Sequence, residues 1–151
     1  MTGWRNLMAE NMPNMLAHEG RWDGTYRHQD ADGRVTDEHR VLTHCEFPDD
    51  GEFAYIQHND LSWADGREAR YEFGGVYRNG RLWWDADNFA GYAWESDGLL
   101  LLRLDRKDAP GERYTEMIEI AEDGKSRART WQWFRNGTPY RRTLCDEQRV
   151  G

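Results

Sequence analysis

The chain has 151 residues, 38% hydrophobic and 32% charged, with a formal net charge of −8. That length can bury a core, and its acidic balance excludes a nucleic-acid partner, because such binding needs a basic surface that releases counterions. Eight Trp, seven Tyr and five Phe exclude a disordered chain, so the charges belong to side chains that alternate outward into water.

The N-terminus carries no basic-then-apolar leader, and the longest apolar run, Leu99–Leu102, is far short of a membrane span. A cytoplasmic protein with no membrane partner is expected. Trp4, Leu7, Met8, Met15 and Leu16 recur near helical spacing, which predicts a short amphipathic cap over residues 1–18. Thr2 is placed to cap it, and Pro13 to end or kink it.

Beyond residue 20 the chain is punctuated by turns. Asp-Gly or Asn-Gly recurs at 32–33, 50–51, 65–66, 79–80, 97–98, 123–124 and 136–137, pairs whose tolerance of positive φ suits tight hairpins. Less regular breaks fall at Asp85–Phe89 and Lys107–Glu112. Nine breaks leave ten segments, a spacing of roughly 8–17 residues that marks an all-β sandwich or barrel. Consecutive hairpins make a meander, and a long twisted meander closes because closure removes its edges. The expectation is an all-β, up-and-down antiparallel barrel of about ten strands over residues 20–148, closed at one end by the helix. Gly74-Gly75 predicts a bulge or bend within a strand.

Strand parity distinguishes the ends. With the first strand (about 20–29) running upward, the tight turns near 50, 79, 97 and 123 lie at the bottom beside the helix, and the 85–89 and 107–112 loops border an open mouth. Cys45 and Cys145 both fall at the bottom with the first strand between them. At about 4.8 Å per strand their Cα atoms stand roughly 9–10 Å apart, beyond disulfide reach.

A helix, then Glu19-Gly20-Arg21-Trp22-Asp23-Gly24-Thr25-Tyr26, then a hairpin meander resembles the calycin superfamily, and most of all bacterial lipocalin-like domains of unknown function. The resemblance covers nearly the whole chain. It implies that Trp22 closes the barrel floor and that a late arginine, Arg142 or Arg149, packs across it. The Gly-x-Trp-x-Gly form is also similar to the ten-stranded, haem-binding nitrobindins, which ligate iron through a late histidine. This chain has no His after His58, so haem is disfavoured and no cofactor is expected; Tyr or Cys ligation stays chemically open. The bilin-attaching calycins offer no motif to match.

Alternation places Tyr26 and His28 on the Trp22 face of the first strand. The same rule, set by the apolar majority of each segment, points Tyr55, Gln57 and Asn59, Tyr71 and Phe73, Glu116, and Arg142 inward. His39 follows Val41 and Cys45 inward, with His44 outside. Of Trp83 and Trp84 one faces in. Trp131 and Trp133 share a face with Arg127 and Arg129; inside, that face joins the pocket, and outside, it makes a surface for a homodimer. No Cys-x-x-Cys or His-x-x-x-His spacing exists, so no metal site is expected.

Expected ligand contacts are therefore Tyr26, His28, Tyr55, Gln57, Tyr71, Phe73, Glu116, Trp131 and Arg142. The leading functional expectation is binding or carriage of a small, mostly apolar, aromatic molecule in the barrel. The alternative is a cofactor-free isomerase, lyase or decarboxylase acting on a small aromatic or carboxylate substrate. There Tyr26, His28, Glu116 and Arg142 would transfer protons or polarise a carboxylate. A second alternative is a structural or interaction module without ligand.

Overall fold

The computed structural model describes residues 3–151. Helices α1 (Trp4–Asn11) and α2 (Pro13–Leu16) precede ten strands: β1 (Gly20–Asp30), β2 (Val35–Glu46), β3 (Tyr55–Ser62), β4 (Glu68–Arg78), β5 (Arg81–Asp85), β6 (Phe89–Ser96), β7 (Leu99–Arg106), β8 (Glu112–Ile120), β9 (Ser126–Arg135) and β10 (Thr138–Val150). Each strand pairs antiparallel with its chain neighbours and β10 closes on β1, giving the up-and-down barrel that the run of hairpins predicts.

The turns divide into two kinds. At Asn79-Gly80, Asp97-Gly98 and Asn136-Gly137 both residues take positive φ, the two-residue geometry that matches strand twist. At the other four predicted turns only the glycine crosses to positive φ, and the loops are wider. Gly74-Gly75 produces no bulge, for the β3–β4 register runs through it unbroken. Gly74 instead makes room for the Phe53 ring, which a Cβ there would meet at 2.5 Å. Register shifts occur at His28/Gln29 and at Pro139/Arg141.

The helices seal the bottom, as expected. Pro13 opens α2, where its missing N–H costs nothing, so it separates two helices. The N-cap position of α1 falls on Gly3, with no side-chain cap; Thr2 lies outside the described residues. Met8, Met12 and Met15 are buried in one cluster with Trp22, Tyr55 and Trp84. Trp4 donates from Nε1 to the Gly51 carbonyl at 2.8 Å, and the Asn14 and Met15 amides donate to the Glu95 carboxylate at 3.1 and 2.9 Å. No helix among the described residues is long and apolar enough to cross a membrane.

Trp22 is fully buried and donates to the His18 carbonyl at 2.9 Å. Of the two late arginines expected to pack across it, Arg149 does so, with Cζ 4.2 Å from the ring centroid. Arg149 also donates to the carbonyls of Ala17, Glu19 and Gly124, tying cap to barrel. Trp84 faces inward and Trp83 outward, its indole beside Arg78. Both cysteines are buried and free, but the predicted spacing needs correction. Cys45 pairs with Gly20 and Cys145 with Tyr26, a six-residue offset of about 20 Å along β1. β10 runs on to Val150, which lifts Cys145 off the floor.

Trp22→Ala is expected to cost about 3–5 kcal/mol in urea unfolding through the lost aromatic volume. Arg149→Ala should cost about 1–3 kcal/mol through the lost ring contact and carbonyl bonds. An unchanged midpoint for Arg149→Ala would show that the methionines and the bonds to Gly51 and Glu95 hold the cap without it.

Candidate functional site

The barrel encloses a cavity of about 1120 Å³. Its floor is ionic. Arg127 and Arg129 of β9 point inward with Trp131. Arg127 Nε meets Glu147 at 2.7 Å, Arg129 Nε meets Glu116 at 2.8 Å, and Arg129 Nη1 reaches Glu147 at 3.6 Å. A guanidinium has donors only, so Tyr26 Oη accepts from Arg129 at 3.1 Å and His18 Nδ1 from Arg127 at 2.9 Å. His18 is thereby held neutral; burial and then Arg127 push its pKa well below the ordinary value. Burial raises Glu116 despite Arg129, whereas the two guanidiniums outweigh burial at Glu147 and lower it. Gly24 stands opposite Glu147 in the β1–β10 register, and a Cβ there would lie 2.4 Å from Glu147 Cγ. The second glycine of Gly-x-Trp-x-Gly is the space into which this carboxylate fits.

One wall carries a polar ladder. Tyr55 Oη donates to Gln57 Oε1 at 2.7 Å and lies 3.2 Å from Cys45 Sγ. Gln57 Nε2 and Thr43 Oγ1 both donate to Asn59 Oδ1 at 3.0 Å. The facing walls are apolar, with Phe73, Phe89, Leu102, Leu104, Tyr114 and Trp131 among the lining side chains. Trp84 also lines the cavity, and its buried Nε1–H has no hydrogen-bond partner among the described residues.

The upper end of β1 and β2 holds an imidazole cluster. His28 Nδ1 lies 2.6 Å from Thr143 Oγ1, which also accepts from Trp133 Nε1 at 2.8 Å. His39 Nδ1 donates to Asp37 at 2.7 Å under the Trp63 ring, whose Nε1 donates to the same carboxylate at 3.1 Å. Burial, then Arg141 and His39, pushes the His28 pKa down from 6.5 to about 4.

The mouth extends down the wall. β4 pairs with β3 from Glu68 to Gly75 but with β5 only through Val76–Arg78. Above that point the 86–88 loop faces the β4 edge, and the cavity is lined there by Arg70, Glu72 and Gly74 on one side and by Asp85, Asp87 and Asn88 on the other. The lateral opening follows from the shortness of β5.

Most predicted residues lie where parity puts them. Tyr26, His28, Tyr55, Gln57, Phe73, Glu116 and Trp131 line the cavity, and Tyr71 stands half-exposed at its rim. Arg142 is a correction. It is exposed on the outer surface, and Arg141, Thr143, Cys145 and Glu147 take the inner face. The apolar-majority rule fails on β10 because that inner face is mostly polar. Glu116 pairs with Arg129, which also donates to Tyr26, and Tyr26 lies beside His28 with ring centroids 6.5 Å apart, so Arg142 alone stands outside the group. Trp131 lies inside, as does Trp133, which lines the cavity beside Tyr114, so the exterior tryptophan surface expected for a homodimer is not formed by this pair. Glu147 was not anticipated. Two inward guanidiniums demand two carboxylates, and Glu147 shares a face with Cys145, so the requirement itself was the signal.

No family model matches the chain, and no curated protein matches it either. Solved structures do. An S-type phycobiliprotein lyase, CPES from Guillardia theta, has a TM-score of 0.72 at 16% identity over 91% of this chain and 90% of that one. A protein of unknown function from the DUF3598 family of Nostoc punctiforme has a TM-score of 0.65 at 15% identity over 90% of this chain. The present chain spans about half (49%) of that protein's length. Rv2717c from M. tuberculosis has a TM-score of 0.62 at 14% identity, covering 93% of this chain and 98% of that one. These likenesses show the fold alone, a β-barrel shared with those proteins.

Arg129→Met should lose about 3–5 kcal/mol in urea unfolding, because it strands the Glu116 carboxylate in the interior. The double variant Arg129→Met/Glu116→Leu should recover most of that loss; no recovery would place the cost in Tyr26 or Glu147. A second expectation concerns pH. Between 6.5 and about 4 the unfolded chain carries a proton on His28 that the folded one refuses, so stability falls as pH drops through that interval. Unfolding midpoints across it should decline less steeply for His28→Asn, with His18 and Glu147 contributing to the slope that remains and Glu116 opposing it.

Proposed function

We propose that the barrel binds and carries a small, largely apolar aromatic molecule in its interior. The observation that carries this reading is the cavity of about 1120 Å³ that the chain's own side chains leave unfilled. Ligand cavities are typically about 300–1000 Å³, mostly apolar with a few placed polar groups. Here those groups are the Trp84 indole N–H and the Gln57–Asn59 ladder. The floor charges are already paired, which favours an uncharged aromatic body with a hydrogen-bond acceptor over a free carboxylate. A similar barrel in a phycobiliprotein lyase is in keeping with this reading.

Haem is no part of this reading. Strands β6–β10 carry no histidine, and the inward His28 and His39 are engaged by Thr143 and Asp37. Burial, the largest influence on each, raises the pKa of Tyr26, Tyr114 and Cys145, which adds to the cost of forming the anionic ligand that iron would take.

Titration with the uncharged fluorophore N-phenyl-1-naphthylamine should give saturable emission at one site per chain. Leu102→Trp, which fills the cavity, should weaken binding about tenfold or more while circular dichroism stays unchanged. Arg142→Ala, on the outside, should leave it as it is. Absence of saturable binding, or indifference to Leu102→Trp, overturns the proposal.

A further inference from the structure

The outer face of β2, β3 and β4 carries a second constellation, separate from the cavity floor. His44 and His58 are directly opposite each other in the β2–β3 register, and His58 is opposite Glu72 in the β3–β4 register. Glu46, two residues from His44, lies on the same face. The imidazole rings are stacked with centroids 5.5 Å apart. Glu46 stands between them, one carboxylate oxygen 3.5 Å from His44 Nδ1 and the other 3.2 Å from His58 Nε2. On the far side of His58, Glu72 lies 3.1 Å from Nδ1.

We propose that His44, Glu46 and His58 bind a divalent late first-row transition metal ion such as Zn²⁺, with Glu72 positioning the His58 ring. Zinc ligands at 2.0–2.2 Å in tetrahedral array stand about 3.3–3.5 Å apart, and the separations across Glu46 are of that size. Imidazole with carboxylate suits zinc, copper or nickel, whereas calcium and magnesium require oxygen ligands. Ligating histidines commonly give their other ring N–H to a carboxylate, which fixes tautomer and orientation. Glu72 occupies that place, leaving Nε2 to face Glu46 and His44. The three ligand side chains are half-buried on two adjacent strands, with the more exposed Glu72 on a third, so the ligands are presented by strand backbone and the fourth coordination position opens to water.

The other imidazole–carboxylate group, His28–Asp37–His39, is built differently. Its donors also lie within 4.8 Å of one another. There, however, the carboxylate is held by a 2.7 Å bond from His39 and a second bond from Trp63, while His28 is 3.9 Å away. In the outer group Glu46 is instead shared between the two imidazoles at similar distances, 3.2 Å from His58 and 3.5 Å from His44.

Equilibrium dialysis of the untagged full chain against Zn²⁺ should give one bound ion per chain. Co²⁺ in its place should develop visible d–d absorption of tetrahedral intensity. His44→Ala, His58→Ala and Glu46→Gln should each weaken Zn²⁺ binding about tenfold or more, and Glu72→Gln should weaken it by about 10–100-fold. All four positions are on the solvent face, and circular dichroism should be unaltered in each. His28→Asn/His39→Asn should leave the affinity unchanged. Failure to bind Zn²⁺, binding that survives His44→Ala/His58→Ala, or binding lost in His28→Asn/His39→Asn would overturn the assignment.

Discussion

Two guanidinium groups inside a barrel set the terms for the rest of the molecule. Arg127 and Arg129 cannot shed their charge, and an unpaired buried charge is strongly destabilising. Each neighbouring feature answers that demand. β8 supplies Glu116, β10 supplies Glu147, and β1 supplies Gly24, where any side chain would displace Glu147. The chain leading into β1 supplies His18 as a neutral acceptor, and Trp22 puts its ring 4.7 Å from the Arg127 guanidinium. The Gly-x-Trp-x-Gly sequence is thus the β1 half of an ion-pair site whose other half is on β9 and β10. Apolar residues of similar volume often serve stability as well as a buried pair does. What this network adds is register. A one-residue slip of β8, β9 or β10 would turn a charge outward and strand its partner.

The fold was legible because its signals are local. Asp-Gly and Asn-Gly pairs mark hairpins through backbone preference alone, and strand alternation then places Tyr26, Gln57 and Glu116 without knowledge of the whole, though it leaves open which of Trp83 and Trp84 faces in. Inference failed where the inside of the barrel is not apolar. On β10 the inward set is Arg141, Thr143, Cys145 and Glu147, so a rule that follows hydrophobicity selected Arg142 and pointed it the wrong way. The extension of β10 past Cys145 likewise changed the height of that thiol, since strand length sets height and no turn signal marks it. The lateral opening depends on where β5 stops pairing with β4, a relation between two strands that neither segment carries alone. His44-Cys45-Glu46 is a local donor pair in plain sight, yet its third member is His58, across a strand boundary. Motif spacing along one chain does not register ligands gathered by a sheet.

The barrel wall is therefore chemically divided around its circumference. β6 and β7 present Leu100, Leu102 and Leu104 with Phe89 to the interior, the ordinary hydrophobic contribution of a small barrel. β8, β9 and β10 present the ion pairs. β2 and β3 present polar groups on both faces: Thr43 pairs with Asn59 inside, and the adjacent His44 pairs with His58 outside. The inward Val41, Cys45 and Tyr55 give this strand pair its hydrophobic bias, and specific side-chain bonds add to it in holding register. The Tyr55–Gln57–Asn59–Thr43 ladder fixes it from within, and the imidazole–carboxylate row does so from without. This matters most beside β4, whose upper half has β3 as its only partner strand. The opening into the cavity is bordered by the strand least supported by its neighbours, and the polar contacts on β2 and β3 hold that border in place.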